Sequence, residues 1–223
     1  MSAPAKLAAL RHLLAERFPT VAVLGGEPVA ADRTLRTGIP TIDDATGGLP
    51  LGAVTEVVCA APSCGSHLLL GELLACTRAS RTRIALVDGH DSFDPSSFTT
   101  DLLPHLLWVR CHGTAEALQA ADLLTRDANL GLVVVDLRRA REAELRQTPA
   151  TQWYRLQRSV ETTDVALVVQ TPRSSVASAQ LRLLLDASHP PSALEDERRT
   201  VAHLLAPTLQ RQRVRATDRA SAA

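Results

Sequence analysis

The stretch VTEVVCAAPSCGSHLLLGELLACTRAS, residues 54–80, decides the fold. Residues 54–59 are mostly β-branched and read as a strand, while 67–80 repeat leucine at helical spacing. A short loop containing Pro62, Ser63 and Gly65 joins them. Strand, tight loop and helix in that order form the opening unit of a parallel α/β sheet.

The alternation continues downstream. Residues 84–88 and Leu106–Arg110 read as the second and third strands, and 114–126 as a helix with Thr114 as its N-cap. Leu132-Val133-Val134-Val135-Asp136 is a near-continuous apolar strand, the mark of one buried on both faces. A helix over 150–162 and a strand over 165–170 follow. Ligands in such sheets sit beyond the carboxyl ends of the strands, so the segments after Cys59, Asp88, Asp136 and Gln170 are where function is expected. Beyond 170 the alternation stops. Leu181–Leu185 and 200–205 both look strand-like, which suggests an antiparallel extension across an acidic, Pro-containing loop.

The ends read differently. Residues 6–18 form a helical leucine stripe (Leu7, Leu10, Leu14), Pro19 stops it, and a short strand carrying Val21 and Val23 runs into Gly25-Gly26. This pair could pack on its own core or on another chain. From Arg198 onward there are six arginines and one acid, and 207–223 are expected to be a disordered basic tail. The domain division is therefore an interaction element over 1–28, a core over 29–206 and the tail.

Composition narrows the chemistry. At 223 residues and 45% hydrophobic the chain is long enough for one α/β core. Its 24 basic residues balance 24 acidic ones, which removes any argument for nucleic-acid binding from bulk charge. Lys6 is the only lysine against 23 arginines, so a mechanism that needs a central lysine is excluded. Four cysteines in such a length do not make a disulfide framework. No apolar run approaches a membrane span and the amino terminus lacks a signal-peptide layout, so a cytoplasmic protein is expected.

The 60–67 loop shows what the missing lysine means. A phosphate-binding loop needs G-x-x-x-x-G-K-[ST]: glycines let backbone N–H groups approach phosphate, lysine neutralises it, and the hydroxyl holds magnesium. Here Ala60 replaces the first glycine, Ser66 the lysine and His67 the hydroxyl, and Gly65 alone survives. Cys59, Cys64 and His67 do not have a recognised zinc spacing, and Cys64 lacks a base and orienting group for nucleophilic work, so no metal, cofactor or catalytic residue is expected.

Around this loop the chain resembles the RecA recombinases. Thr37-Gly38-Ile39-Pro40-Thr41-Ile42-Asp43, Gly47-Gly48-Leu49-Pro50-Leu51-Gly52 and Glu56 resemble the run that precedes the family's ATP loop. Asp88, Asp94 and Pro95 match a second family stretch, in which the water-activating glutamate falls on His90. Asp136 matches the end of the magnesium-binding strand, and Thr171 falls at the γ-phosphate-sensing glutamine. Without lysine or hydroxyl beside it, Asp136 is expected to cap local N–H groups. His67 and His90 are expected to face the remnant pocket. The resemblance implies a RecA-like three-layer core with a mainly parallel sheet.

A RecA-like chain lacking the lysine, hydroxyl, glutamate and glutamine together is similar to the ImuA family, accessory proteins of bacterial mutagenic translesion synthesis. The resemblance implies a non-catalytic, SOS-induced adaptor whose partners are RecA, the inactive polymerase-like ImuB and an error-prone replicative-type polymerase. By the same resemblance, Leu7, Leu10, Leu14, Val21 and Val23 would dock on RecA. DNA contact is expected to be weak or indirect, with Arg138, Arg139, Arg173, Arg211, Arg213 and Arg215 the residues placed for DNA or partner. A divergent ATPase with Arg or His in place of lysine, and an SOS cell-division inhibitor, are the alternatives.

Overall fold

The computed structural model describes residues 33–212. The amino-terminal element, with Leu7, Leu10, Leu14, Val21 and Val23, lies outside them, as do Arg213 and Arg215.

The chain enters through a small antiparallel pair, β1 (Thr34–Leu35) and β2 (Leu49–Pro50), wrapped around helix α1 (Pro40–Thr46). Asp43 holds this turn: its Oδ1 accepts from Thr37 N and Thr37 Oγ1, both at 2.9 Å, and its Oδ2 from Gly38 N at 3.1 Å. Gly38 has φ +81°, and a Cβ there would sit 2.8 Å from Cys76 Sγ, so glycine lets the turn lie flat on the helix behind it.

The main sheet contains β3 (Ala53–Cys59), β4 (Arg83–Asp88), β5 (Leu106–Arg110), β6 (Leu130–Asp136), β7 (Ala166–Thr171), β8 (Leu181–Leu185) and β9 (Thr208–Gln212). Their spatial order is β5-β4-β6-β7-β3-β8-β9. Every neighbouring pair is parallel except β8 with β9. The crossovers are helices α2 (Ser66–Ala79), α3 (Thr114–Leu124) and α5 (Ala150–Glu161), with a short α4 (Glu142–Gln147) before the last.

Period-two alternation along the strands divides the core in two. Val57, Leu86, Val134 and Val168 face Leu69, Leu70, Leu73 and Leu74 of α2. Val87, Val135 and Val169 face the other way, against Ala117 and Ala121 of α3 and Trp153, Leu156 and Val160 of α5. Each large side chain buried this way contributes roughly 1.5–3 kcal/mol. The result is the expected mixed α/β architecture: a mostly parallel seven-stranded sheet with helices on both faces.

The carboxyl-terminal extension is built from other residues than the pattern suggested. β8 pairs with β3 in parallel, and its antiparallel partner is β9, within the segment assigned to a disordered tail. β9 is an edge strand with mostly exposed side chains, held by backbone pairing, so it carries no apolar alternation to read. Residues 200–205, expected as a strand, lie instead around helix α6 (Arg198–His203). Val201, Ala202 and Leu205 are buried, at helical spacing, and a short apolar run reads equally well as either element. Thr114 is also not the N-cap of α3. Gly113 takes that position, and the Thr114 hydroxyl donates to Glu144 Oε2 at 2.9 Å.

Candidate functional site

The sheet aligns the carboxyl ends of β4, β6, β7 and β3, with Asp88 in register with Asp136 and Asp136 with Gln170. Paired residues in a parallel ladder share a face. Asp88, Asp136 and Gln170 therefore continue the Leu86, Val134 and Val168 rows and point to the α2 side, where the 60–65 loop ends.

That loop has the left-handed kinks of a phosphate loop, at Ser63 (φ 52°) and at Gly65 (φ 82°), the N-cap of α2. It is covered by its own chain. His189 N donates to Ser63 O at 3.0 Å and Ser188 Oγ to Pro62 O at 2.7 Å. A Cβ on Gly65 would collide with Leu205 Cδ2 and lie 3.0 Å from His189 Nε2. Arg198 ties the cover down, donating to His67 O at 2.8 Å and Ser97 O at 2.6 Å while stacking over Phe98.

Arg138 fills the space between the loop and the β6 end. It donates to both carboxylate oxygens of Asp136, to Ser66 Oγ at 2.6 Å and to His67 Nε2 at 2.7 Å. A guanidinium only donates, so His67 Nε2 is the acceptor and its proton sits on Nδ1. Asp136 also accepts from Arg138 N at 3.0 Å and Ser92 Oγ at 3.2 Å. Burial pushes the Asp136 carboxyl up, but the Arg138 guanidinium outweighs it and holds the group below the usual carboxylate range. Burial, reinforced by Arg138, pulls His67 down. The adjacent Cys59 thiol pulls the Cys64 thiol down, and the proximity of Cys64 together with burial pushes Cys59 up.

The expected site residues thus separate. Gly65, Ser66, His67 and Asp136 meet at one place, and Arg138 joins them there rather than on a free surface, whereas the Ala60 N–H donates to Leu185 O at 2.9 Å at the edge of β8. Asp136 caps an N–H, as expected, but it also has a cationic partner, which the sequence reading missed. His90 does not face this pocket: its Nε2 lies 3.4 Å from Glu144 Oε2, beside Thr114. Thr171 is not at the sensing position either. Its hydroxyl donates to Glu56 Oε1 at 3.0 Å, next to Ser175 N at 2.6 Å and Val176 N at 3.0 Å, and Arg182 Nε reaches Glu56 Oε2 at 2.5 Å. The residue on the pocket face is Gln170, fully buried, with neither amide atom hydrogen-bonded among the described residues. Strand parity could have found it, since Gln170 lies two residues beyond the inward Val168. Arg138 also carried a signal, since it follows Asp136 by two residues, in the turn that leaves β6, within reach of the carboxylate.

The remaining arginines differ in their surroundings. Arg173 pairs with Glu142, and Arg211 donates to the carbonyls of Ala177 and Ala179 at 3.3 Å each. Arg139 is exposed. Among the described residues no three His, Cys, Asp or Glu side chains converge as a metal centre requires, and no helix is long and apolar enough to cross a membrane.

A mostly parallel sheet whose first crossover opens on a phosphate-type loop, with carboxylates at the neighbouring strand ends, is consistent with a RecA-like α/β core. It is similar to the RecA protein of Acinetobacter baylyi, 33% identical over 122 residues, which is 52% of this chain and 34% of that relative. It is also similar to RecA of Acinetobacter baumannii, 31% identical over 122 residues, again 52% of this chain and 34% of that relative. The chain therefore matches about a third of the length of these curated relatives. No family model matches.

Proposed function

We propose that the chain is a non-catalytic RecA-like adaptor in error-prone translesion DNA synthesis, joining RecA to a Y-family-polymerase-like partner of the ImuB type. The observation that carries this reading is the Arg138–Asp136 pair. In an ATP loop the carboxylate at this strand end serves magnesium, and lysine and hydroxyl from the loop serve phosphate. Here both Asp136 oxygens are taken by a guanidinium of the same chain, with exposures of 3% and 17%. The space beside Gly65 that a Cβ would occupy is packed by Leu205 and His189. These residues do not fit a magnesium nucleotide, so a scaffold without turnover is left to act by contact.

A second reading has one observation in its favour. Arg138 Nη1 lies 2.6 Å from the hydroxyl of Ser66, the residue standing where lysine would be, so a cation from another strand has reached the loop. In a divergent ATPase that arginine would serve phosphate. Calorimetric titration of the full chain with magnesium and ATP separates the readings. The adaptor reading expects no saturable binding, and micromolar binding would overturn its non-catalytic premise in favour of the ATPase reading. Co-elution with purified RecA is the positive test. Failure to bind RecA, or co-elution with a tubulin-like division protein in its place, would remove the adaptor role.

A further inference from the structure

An open region lies on the opposite helical layer from the covered loop. Between the end of α3 and the outer side of α5 runs a cleft of about 750 Å³. Arg126, Tyr154, Arg155 and Arg158 line it, along with hydroxyl-bearing residues, and among the described residues no carboxylate does. Beneath it Asp122, 6% exposed, accepts from Arg126 Nη2 at 3.0 Å and from Arg155 Nη2 at 2.7 Å. Ser159 Oγ accepts from Arg126 Nε at 3.3 Å. One buried carboxylate thus holds two guanidiniums in fixed places without cancelling both. Arg158 is exposed and makes no hydrogen bond or ion pair among the described residues. Three guanidiniums over one carboxylate leave the cleft positive, and Tyr154 stands beside them 49% exposed.

We propose that this cleft binds single-stranded nucleic acid, with Arg155 and Arg158, one helical turn apart, taking backbone phosphates and the Tyr154 ring stacking on a base. Sequence-tolerant single-strand sites combine these two elements, a cationic track and an exposed aromatic face. Arginines near helix carboxyl ends can also serve only to offset the helix dipole. That role needs neither the exposed ring nor the hydroxyls around it. An acidic peptide would use the charges and leave the ring idle, which makes the ring the discriminating residue. The inference does not depend on the adaptor reading and survives or fails apart from it.

Fluorescence anisotropy of a labelled oligo-dT with the full chain tests it. Binding is expected to weaken with salt. Tyr154→Ala is expected to weaken it about tenfold, while Tyr154→Phe, which keeps the ring, retains it. Arg158→Glu should weaken it about tenfold and lower the salt slope by about one. Arg199→Glu is an equal charge change on α6, in the opposite helical layer, and should leave affinity unchanged. Tyr154 and Arg158 are exposed, and unaltered thermal unfolding of their variants shows that the loss is not one of folding. The proposal is overturned if the chain does not bind the oligonucleotide. It is also overturned if Tyr154→Ala and Arg158→Glu bind like the parent, or if polyglutamate competes as well as oligo-dT.

Discussion

The guanidinium of Arg138 lies against the carboxylate of Asp136, two residues back along the chain, with Nε 2.9 Å from Oδ1 and Nη2 2.5 Å from Oδ2. The pair is almost dry, and its outer nitrogens bridge to Ser66 and His67 at the start of α2. One side chain thereby connects the end of β6 to the loop after β3, which are separated in the sheet by β7.

Removing one half of that pair should cost more than removing both. Arg138→Met leaves Asp136 buried and charged, and unfolding free energy is expected to fall by roughly 3–5 kcal/mol. Arg138→Met with Asp136→Leu should recover most of that loss. Urea unfolding at constant slope measures both, and additive losses would show that the two residues are not coupled.

His67 gives a pH signature. Its folded-state pKa is depressed below the ordinary 6.5, so the native state binds this proton less readily than the unfolded chain. The contribution is fully present above 6.5 and is lost as pH falls through the folded value. Stability of the parent is expected to drop below pH 6.5 by up to about 1.4 kcal/mol per pH unit more than that of His67→Asn. Parallel pH profiles of the two proteins would exclude the buried-imidazole account.

The cover over the loop can be read from coupling between Gly65 and Leu205. Gly65→Ala forces a side chain into a left-handed backbone conformation and into Leu205, and is expected to cost more than the ~1 kcal/mol of strain alone. Leu205→Ala opens a cavity at roughly 2–5 kcal/mol. Because it also removes the collision, the double variant should be more stable than the sum of the single effects predicts. Strict additivity would mean that Leu205 does not lie on Gly65.

Glu56 and Thr171 should differ sharply. Glu56→Ala strips partners from Thr171, Ser175, Val176 and Arg182 and leaves a buried guanidinium unpaired, with an expected loss of roughly 3–5 kcal/mol. Thr171→Val removes one neutral-to-charged hydrogen bond of that set and should cost about 1–3 kcal/mol. Equal losses would place Thr171, not Glu56, at the centre of the 172–176 turn.

Much of the fold was legible because its strands are buried on both faces. Runs such as Leu132-Val133-Val134-Val135 announce a central parallel strand whatever surrounds them. The edges were not legible. β9 forms by backbone pairing, and α6 is short enough for Val201, Ala202 and Leu205 to suit either period. At the site, the strand–loop–helix and its substitutions at Ala60, Ser66 and His67 were readable from spacing. The assignment of Thr171 to the pocket was one residue off, and in a strand one residue reverses the face.

The single lysine, the altered loop and the alternation of strands and helices were determined by the sequence alone, because composition and period are local properties. Tertiary structure alone decided where Arg138 goes, what covers Gly65, and which of Gln170 and Thr171 faces the loop. Those outcomes depend on strand order, which brings the end of β6 close to the loop after β3, and on the register of β7 between them. A guanidinium expected to serve DNA or a partner is held instead by a carboxylate, a hydroxyl and an imidazole, because burying Asp136 requires a partner and Arg138 is within reach.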